Sequence, residues 1–115
     1  MSDCLFCKII KGEIPGKFVY KDKEMVAFYD INPKAPVHVL IVPVKHLESL
    51  REVKVEDREL LGKLMIAVHK IAQQLNIAGD GYKVVINNGE GSGQLVFHLH
   101  LHLLGGWRER ANWKV

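Results

Sequence analysis

His98-Leu99-His100-Leu101-His102-Leu103-Leu104 places three histidines at every second position. In an extended strand, successive side chains point to opposite faces. The three imidazoles then share one face and the leucines take the other, with Gly105-Gly106 as the stop. Imidazole titrates near neutral pH unaided and can act as nucleophile, proton carrier, phosphate donor or metal ligand. A neutral imidazole attacks a phosphate ester or anhydride and leaves again when water arrives, which suits two-step nucleotidyl transfer. His100, flanked on both sides, is the natural nucleophile, and His102 can donate to the phosphate oxygens. The loop Gly89-Glu90-Gly91-Ser92-Gly93 delivers the chain into this strand and offers unhindered backbone N–H groups, although most such loops only turn the chain. A solvated edge strand with chance histidines is the bland alternative.

Four more polar residues stand in apolar surroundings. His38 lies inside the run Val37 to Val42, where a hydrogen-bonded structural histidine competes with a functional one. Asp30 follows Val26-Ala27-Phe28-Tyr29 and suits either a turn cap or two ribose hydroxyls. Asn87 closes a strand before the glycine loop, and Gln94 is expected either at the site or simply exposed. Cys4 and Cys7 lie one helical turn apart, a spacing that suits two ligands of tetrahedral Zn²⁺, with His46 and His98 as candidates for the other two. A redox pair is the rival, but the βαβ context of such motifs is missing.

The elements that must position these residues follow from periodicity. Cys4 to Lys11 has helical apolar spacing closed by Gly12. Phe18 to Lys21, Met25 to Tyr29, Val37 to Val42, Tyr82 to Asn87 and the histidine segment read as five strands. His46 to Arg51 reads as a short helix. Glu56 to Leu75 is the long one, with Leu60, Leu61, Leu64, Met65, Val68, Ile71, Ala72 and Leu75 as its apolar stripe. The predicted class is α+β, a mainly antiparallel five-stranded sheet with one long and one or two short helices.

The 115 residues fit one domain, 1–115, and their 48% hydrophobic content supplies a core. A net charge of +3 is too mild to imply nucleic acid, and no apolar run is long enough to imply a membrane span. The start Met1-Ser2-Asp3-Cys4 lacks a signal-peptide pattern, so a cytoplasmic location is expected.

His98-x-His100-x-His102 followed by two apolar residues resembles the signature of the histidine triad (HIT) family. Cys4 to Ile10, Gly12-Glu13-Ile14-Pro15, Ala27 to Ile31, Pro36 to Pro43 with His46, Asn87, Gly93-Gln94 and Leu104-Gly105-Gly106 resemble its nucleotide-binding, HINT-like branch. The resemblance implies a homodimer whose sheets join into one of about ten strands, five from each protomer. It implies hydrolysis of purine nucleoside phosphoramidates to AMP through a nucleotidyl intermediate on His100, with His102 holding the phosphate and His38 supporting the proton network. Dinucleoside polyphosphate hydrolysis, and a nucleotide sensor with vestigial activity, are the alternatives. Asp30 would take the ribose hydroxyls. Leu5, Phe6, Ile9, Ile14, Phe28 and Ile31 match the base pocket, and Asn87, Gly93, Gln94 and Val96 match the phosphate and sugar contacts. Leu95 departs from the serine of many relatives and cannot donate a proton to the leaving group. In the bacterial subset that carries Cys4 and Cys7, these residues with His46 and His98 hold a structural zinc, and no organic cofactor is implied. The tail 107–115, with Trp107, Arg108, Arg110 and Trp113, is expected either to reach the partner's site or to fray.

Overall fold

The computed structural model describes residues 3–111. Trp113, part of the expected tail contact, lies outside the described residues. The elements run α1 (Leu5–Ile10), β1 (Phe18–Lys21), β2 (Met25–Tyr29), β3 (Val37–Pro43), α2 (Arg58–Gln74), β4 (Tyr82–Val85) and β5 (Leu101–Gly105). One five-stranded sheet has the order β1-β2-β3-β5-β4, with every neighbouring pair antiparallel. The α+β prediction holds.

The sheet is covered on both faces, which explains why β2 and β3 read as nearly continuous apolar runs. Met25, Ala27, Val39, Ile41, Leu101 and Leu103 point to one face and pack against Leu64, Val68, Ile71 and Ala72 of α2. Val26, Phe28, Leu40 and Val42 point to the other and pack against Phe6 and Ile9 of α1. Burying one such aliphatic side chain contributes roughly 1.5–3 kcal/mol, so the two clusters dominate the stability of this small domain. Met65 departs from the predicted stripe: it is 53% exposed, because the sheet is too narrow to cover that edge of α2.

Two further expectations need correction. The predicted helix His46 to Arg51 shrinks to a single 3₁₀ turn, Leu50–Glu52, capped by the Ser49 hydroxyl. A second 3₁₀ turn, Val55–Asp57, leads into α2, and the Asp57 carboxylate pairs with Lys45 and accepts the Lys54 N–H. The histidine segment bends at His98 and joins the ladder only from Leu101, so His98 and His100 precede β5. The period-2 alternation survives this. Leu101 and Leu103 face α2, while His100 and His102 face the opposite side, where a cavity opens. Gly105 ends the segment because a Cβ there would stand 2.8 Å from the buried Ile77 side chain.

Candidate active site and metal centre

A cavity of about 340 Å³ lies on the α1 side of the sheet, near the lower end of small-molecule sites. Phe6, Ile9, Ile14, Phe28, Leu40 and Val96 line its apolar body. Leu5, Ile31 and Leu95 stand at its mouth, the last two 90% and 89% exposed. Asp30, Asn87, Gly93, His100 and His102 form its polar end. Phe6 is central to its shape: its ring meets Phe28 edge-on at 5.5 Å and His100 at 5.0 Å between centroids.

The strand register brings the histidines together. His38, on β3, has Leu104 as its cross-strand partner, and His102 faces Leu40, so the two imidazoles are diagonal neighbours on one face. Their rings meet through His38 Nε2 and His102 Nδ1 at 2.9 Å. His100 and His102 rings lie 4.9 Å apart.

Fixed donors and acceptors of the backbone set each tautomer. The His98 carbonyl can only accept, so His100 carries its proton on Nδ1, 2.7 Å away, and keeps the lone pair on Nε2. The Lys34 amide can only donate, to His38 Nδ1 at 3.0 Å. His38 therefore holds its proton on Nε2 and donates to His102 Nδ1, with the Asp30 carboxylate 3.5 Å from the same nitrogen. Neutral His102 is left with Nε2–H as a donor. Asp30 accepts the Asn32 N–H through its other oxygen, so it caps a turn and faces His38 at once.

Burial holds these rings neutral. It pushes the His100 imidazole below its ordinary value, against the opposing pull of the His98 carbonyl and Asp30. Burial lowers His38 in the same way. Burial, with repulsion from His100 and His38, takes His102 down to about 4. A neutral His100 is the form that can attack. These shifts also set an acid limit on the fold. An unfolded His102 takes up its proton near 6.5, the folded one only near 4. The unfolded chain therefore binds more protons between those values, and stability, fully present above about 6.5, falls as the pH drops toward 4. Urea midpoints should decline from pH 7 to pH 5, and less steeply in His102→Gln; equal slopes would contradict this assignment.

On the far side of His98 lies the second cluster. Ligand atoms of Cys4, Cys7, His46 and His98 all fall within 4.8 Å of one another. Cys4 Sγ is 3.3 Å and Cys7 Sγ 3.6 Å from His98 Nδ1, and Cys7 Sγ is 3.4 Å from His46 Nδ1. The edge of a tetrahedron with metal–sulfur and metal–nitrogen bonds of usual zinc length is about 3.5 Å. His98 Nε2 donates to the Pro43 carbonyl at 2.7 Å, so its Nδ1 lone pair faces the thiols. That is the outer hydrogen bond a ligating histidine requires. The four residues fit a closed metal site. Asp30, His38 and His102 also cluster, but His38 carries its proton on the nitrogen a metal would need. That cluster is a proton network.

Gln94 departs from the exposed alternative. It is 3% exposed, and its amide accepts the Gly89 N–H and donates to the Glu48 and Val96 carbonyls. Its side chain braces the glycine loop from behind and does not line the cavity. Gly93 completes that loop with a φ of 93°. Leu40, Tyr29 and Asn32 line the cavity without having been singled out in the sequence. Leu40 was legible from strand parity with His38; the other two depend on how the chain turns after β2. Trp107 joins Asn76, Ile77 and Asp80 along a separate shallow groove.

Residues 11–109 match the HIT domain. The chain is 50% identical to protein HitA of Neisseria gonorrhoeae over 105 residues, 91% of this chain and 97% of that one. A HIT family hydrolase from Legionella pneumophila superposes with a TM-score of 0.90 at 48% identity, covering 92% of this chain and 95% of that one. One from Clostridium thermocellum superposes at 0.92 with 44% identity, covering 97% of each. With a family match across nearly its whole length, and relatives sharing about half its residues, the chain belongs to the HIT domain family.

Proposed function

We propose that this protein hydrolyses purine nucleoside phosphoramidates to a nucleoside monophosphate and a free amine. The observation that carries the proposal is the state of His100: a buried, neutral imidazole with Nδ1–H held by a carbonyl and its Nε2 lone pair free for phosphorus. The hydrolase activity of structural relatives supports the reaction class.

The residues divide the work. The apolar cavity between Phe6, Phe28 and Ile9 takes the flat base, and Asp30 takes the ribose hydroxyls. His102 Nε2–H and the backbone near Gly93 donate to the phosphate oxygens. His100 Nε2 attacks phosphorus, a P–N bond forms, and the substrate's own P–N bond breaks. The amine departs with a proton drawn from water, because neutral His102 keeps its one Nε2 proton on the phosphate oxygens and Leu95 has none to give. The intermediate is an imidazolium, and the His98 carbonyl, accepting its Nδ1–H, stabilises that charge. Water then attacks phosphorus, restores neutral His100 and releases one proton.

Adenosine phosphoramidate compared with diadenosine tetraphosphate tests the assignment. Faster turnover of the phosphoramidate is expected, and preference for the tetraphosphate would move the protein to polyphosphate hydrolysis. A kcat far below about 1 s⁻¹ on both would favour a nucleotide sensor, the reading that Leu95 keeps alive.

The metal is zinc in this proposal, supported by a thiolate–imidazole donor set and tetrahedral spacing. With four protein ligands its part is structural. The assembly is a homodimer whose sheet continues across one of its two edge strands, β1 or β4. Native mass spectrometry of protein purified without added zinc should read a dimer carrying one zinc per protomer. A metal-free species would overturn the zinc assignment, and a monomer the assembly.

A further inference from the structure

His98 belongs to both sites. Its ring offers Nδ1 to the thiols and is pinned by Pro43, while its own carbonyl accepts the proton of His100 Nδ1.

We propose that the metal centre positions the nucleophile: ligation of the His98 ring fixes the His98 carbonyl, which fixes the orientation and tautomer of His100. His98 is thus a positioning residue for the reaction and more than a ligand of a structural metal. Three features support the coupling. His98 is fully buried, so its ring and backbone cannot shift independently of their surroundings. The adjoining backbone is tied down as well, with the Leu99 N–H bonded to the Leu47 carbonyl at 2.6 Å. Neither His98 nor His100 belongs to the β5 ladder, so side-chain anchoring adds to the Leu99 backbone bond in holding them. A second arm runs through α1. Cys4 caps that helix, its Sγ accepting the Cys7 N–H at 3.3 Å, and Phe6 between them packs on the rings of His98 and His100. A helix of six residues does not hold itself, so ligation at Cys4 and Cys7 also locks Phe6 against the nucleophile.

The wrong tautomer would put a proton on the nitrogen that must attack. The proposal rests on the nucleotidyl-His100 reading for its kinetic arm only. The test compares the zinc-loaded protein with His46→Ala and Cys7→Ser. His46 does not line the cavity, so its replacement loosens the metal without removing a cavity wall. The first readout is the ¹⁵N NMR spectrum of the His100 imidazole, which reports the tautomer without any substrate. The second separates AMP affinity from the rate of His100 nucleotidylation in a single turnover. The wild type should show one tautomer, protonated on Nδ1. Folded variants that have lost zinc should show mixed tautomers and slow nucleotidylation by about tenfold or more, the usual effect of releasing an outer hydrogen bond, with AMP affinity changed by less than about threefold. An unchanged tautomer in a zinc-free folded variant would overturn the proposal. So would a parallel loss of affinity and rate, which is what a merely structural metal predicts. A tautomer that changes in a protein with no phosphoramidase activity would instead uphold the coupling and reject the function. If His46→Ala does not fold, chelation of the wild type followed by zinc readdition supplies the same two readouts, with restoration of the single tautomer expected.

Discussion

Replacement of His100 by alanine should lower phosphoramidate turnover by at least about 10⁴-fold, as removal of a covalent nucleophile does. AMP binding should stay within about threefold of wild type, because the base and ribose contacts lie elsewhere in the cavity: Phe6, Ile9 and Phe28 for the base, Asp30 for the sugar. Saturating kinetics with an adenosine phosphoramidate and calorimetric titration with AMP give the two numbers. The His100 side chain is buried, so a thermal unfolding curve must accompany them. Undiminished AMP release by a folded variant would remove His100 from the chemistry. Loss of AMP binding together with turnover would make the histidine a binding group. The prediction depends on the Nδ1–H bond to the His98 carbonyl, which leaves Nε2 as the attacking atom.

Phe6→Ala should have the largest effect on the fold among residues of the site. Phe6 is 4% exposed and contacts Phe28, His98 and His100 ring to ring. Truncating a buried phenylalanine costs about 3–5 kcal/mol, a large part of the stability of a domain this size. A void would open beside the nucleophile, and α1 would lose the side chain that anchors it. The urea midpoint should fall accordingly, and AMP affinity should drop by about tenfold with the lost wall of the base pocket. Phe6→Leu, which keeps most of the volume, should recover much of both. A loss of less than about 1 kcal/mol in Phe6→Ala would mean that α1 is held without it.

Much of the site was legible before the fold. Alternation of histidine and leucine predicted two faces, and Leu101 and Leu103 do face α2 while His100 and His102 face the cavity. The one-turn spacing of Cys4 and Cys7 predicted a ligand pair, and His46 and His98 do cluster with it. These features follow from period and covalent spacing, which are local. The misreadings were of features that tertiary contacts decide. Met65 fits the helical stripe as well as Leu64 does, but the sheet covers only one of them. Gln94 has nothing local to bury it; the Gly89 amide and the Glu48 and Val96 carbonyls do so. The segment His46 to Arg51 has helical spacing but folds as a single turn after Ser49 caps it.

The sequence by itself determined the chemistry available: three alternating imidazoles, a buried fourth, a carboxylate at a strand end and two thiols one turn apart. Only the tertiary structure decided which nitrogen of each imidazole holds the proton. Three backbone groups, the carbonyls of Pro43 and His98 and the amide of Lys34, make that choice. The Pro43 carbonyl reaches His98 across 55 residues of sequence, whereas the Lys34 amide and the His98 carbonyl act on imidazoles 4 and 2 residues away, through the shape the fold gives those short segments. A side-chain type is written in the chain, but a tautomer is set by whichever donor or acceptor folding places against the ring. That choice divides the histidines, leaving His98 a free lone pair on Nδ1, His100 one on Nε2, and His102 a proton on Nε2.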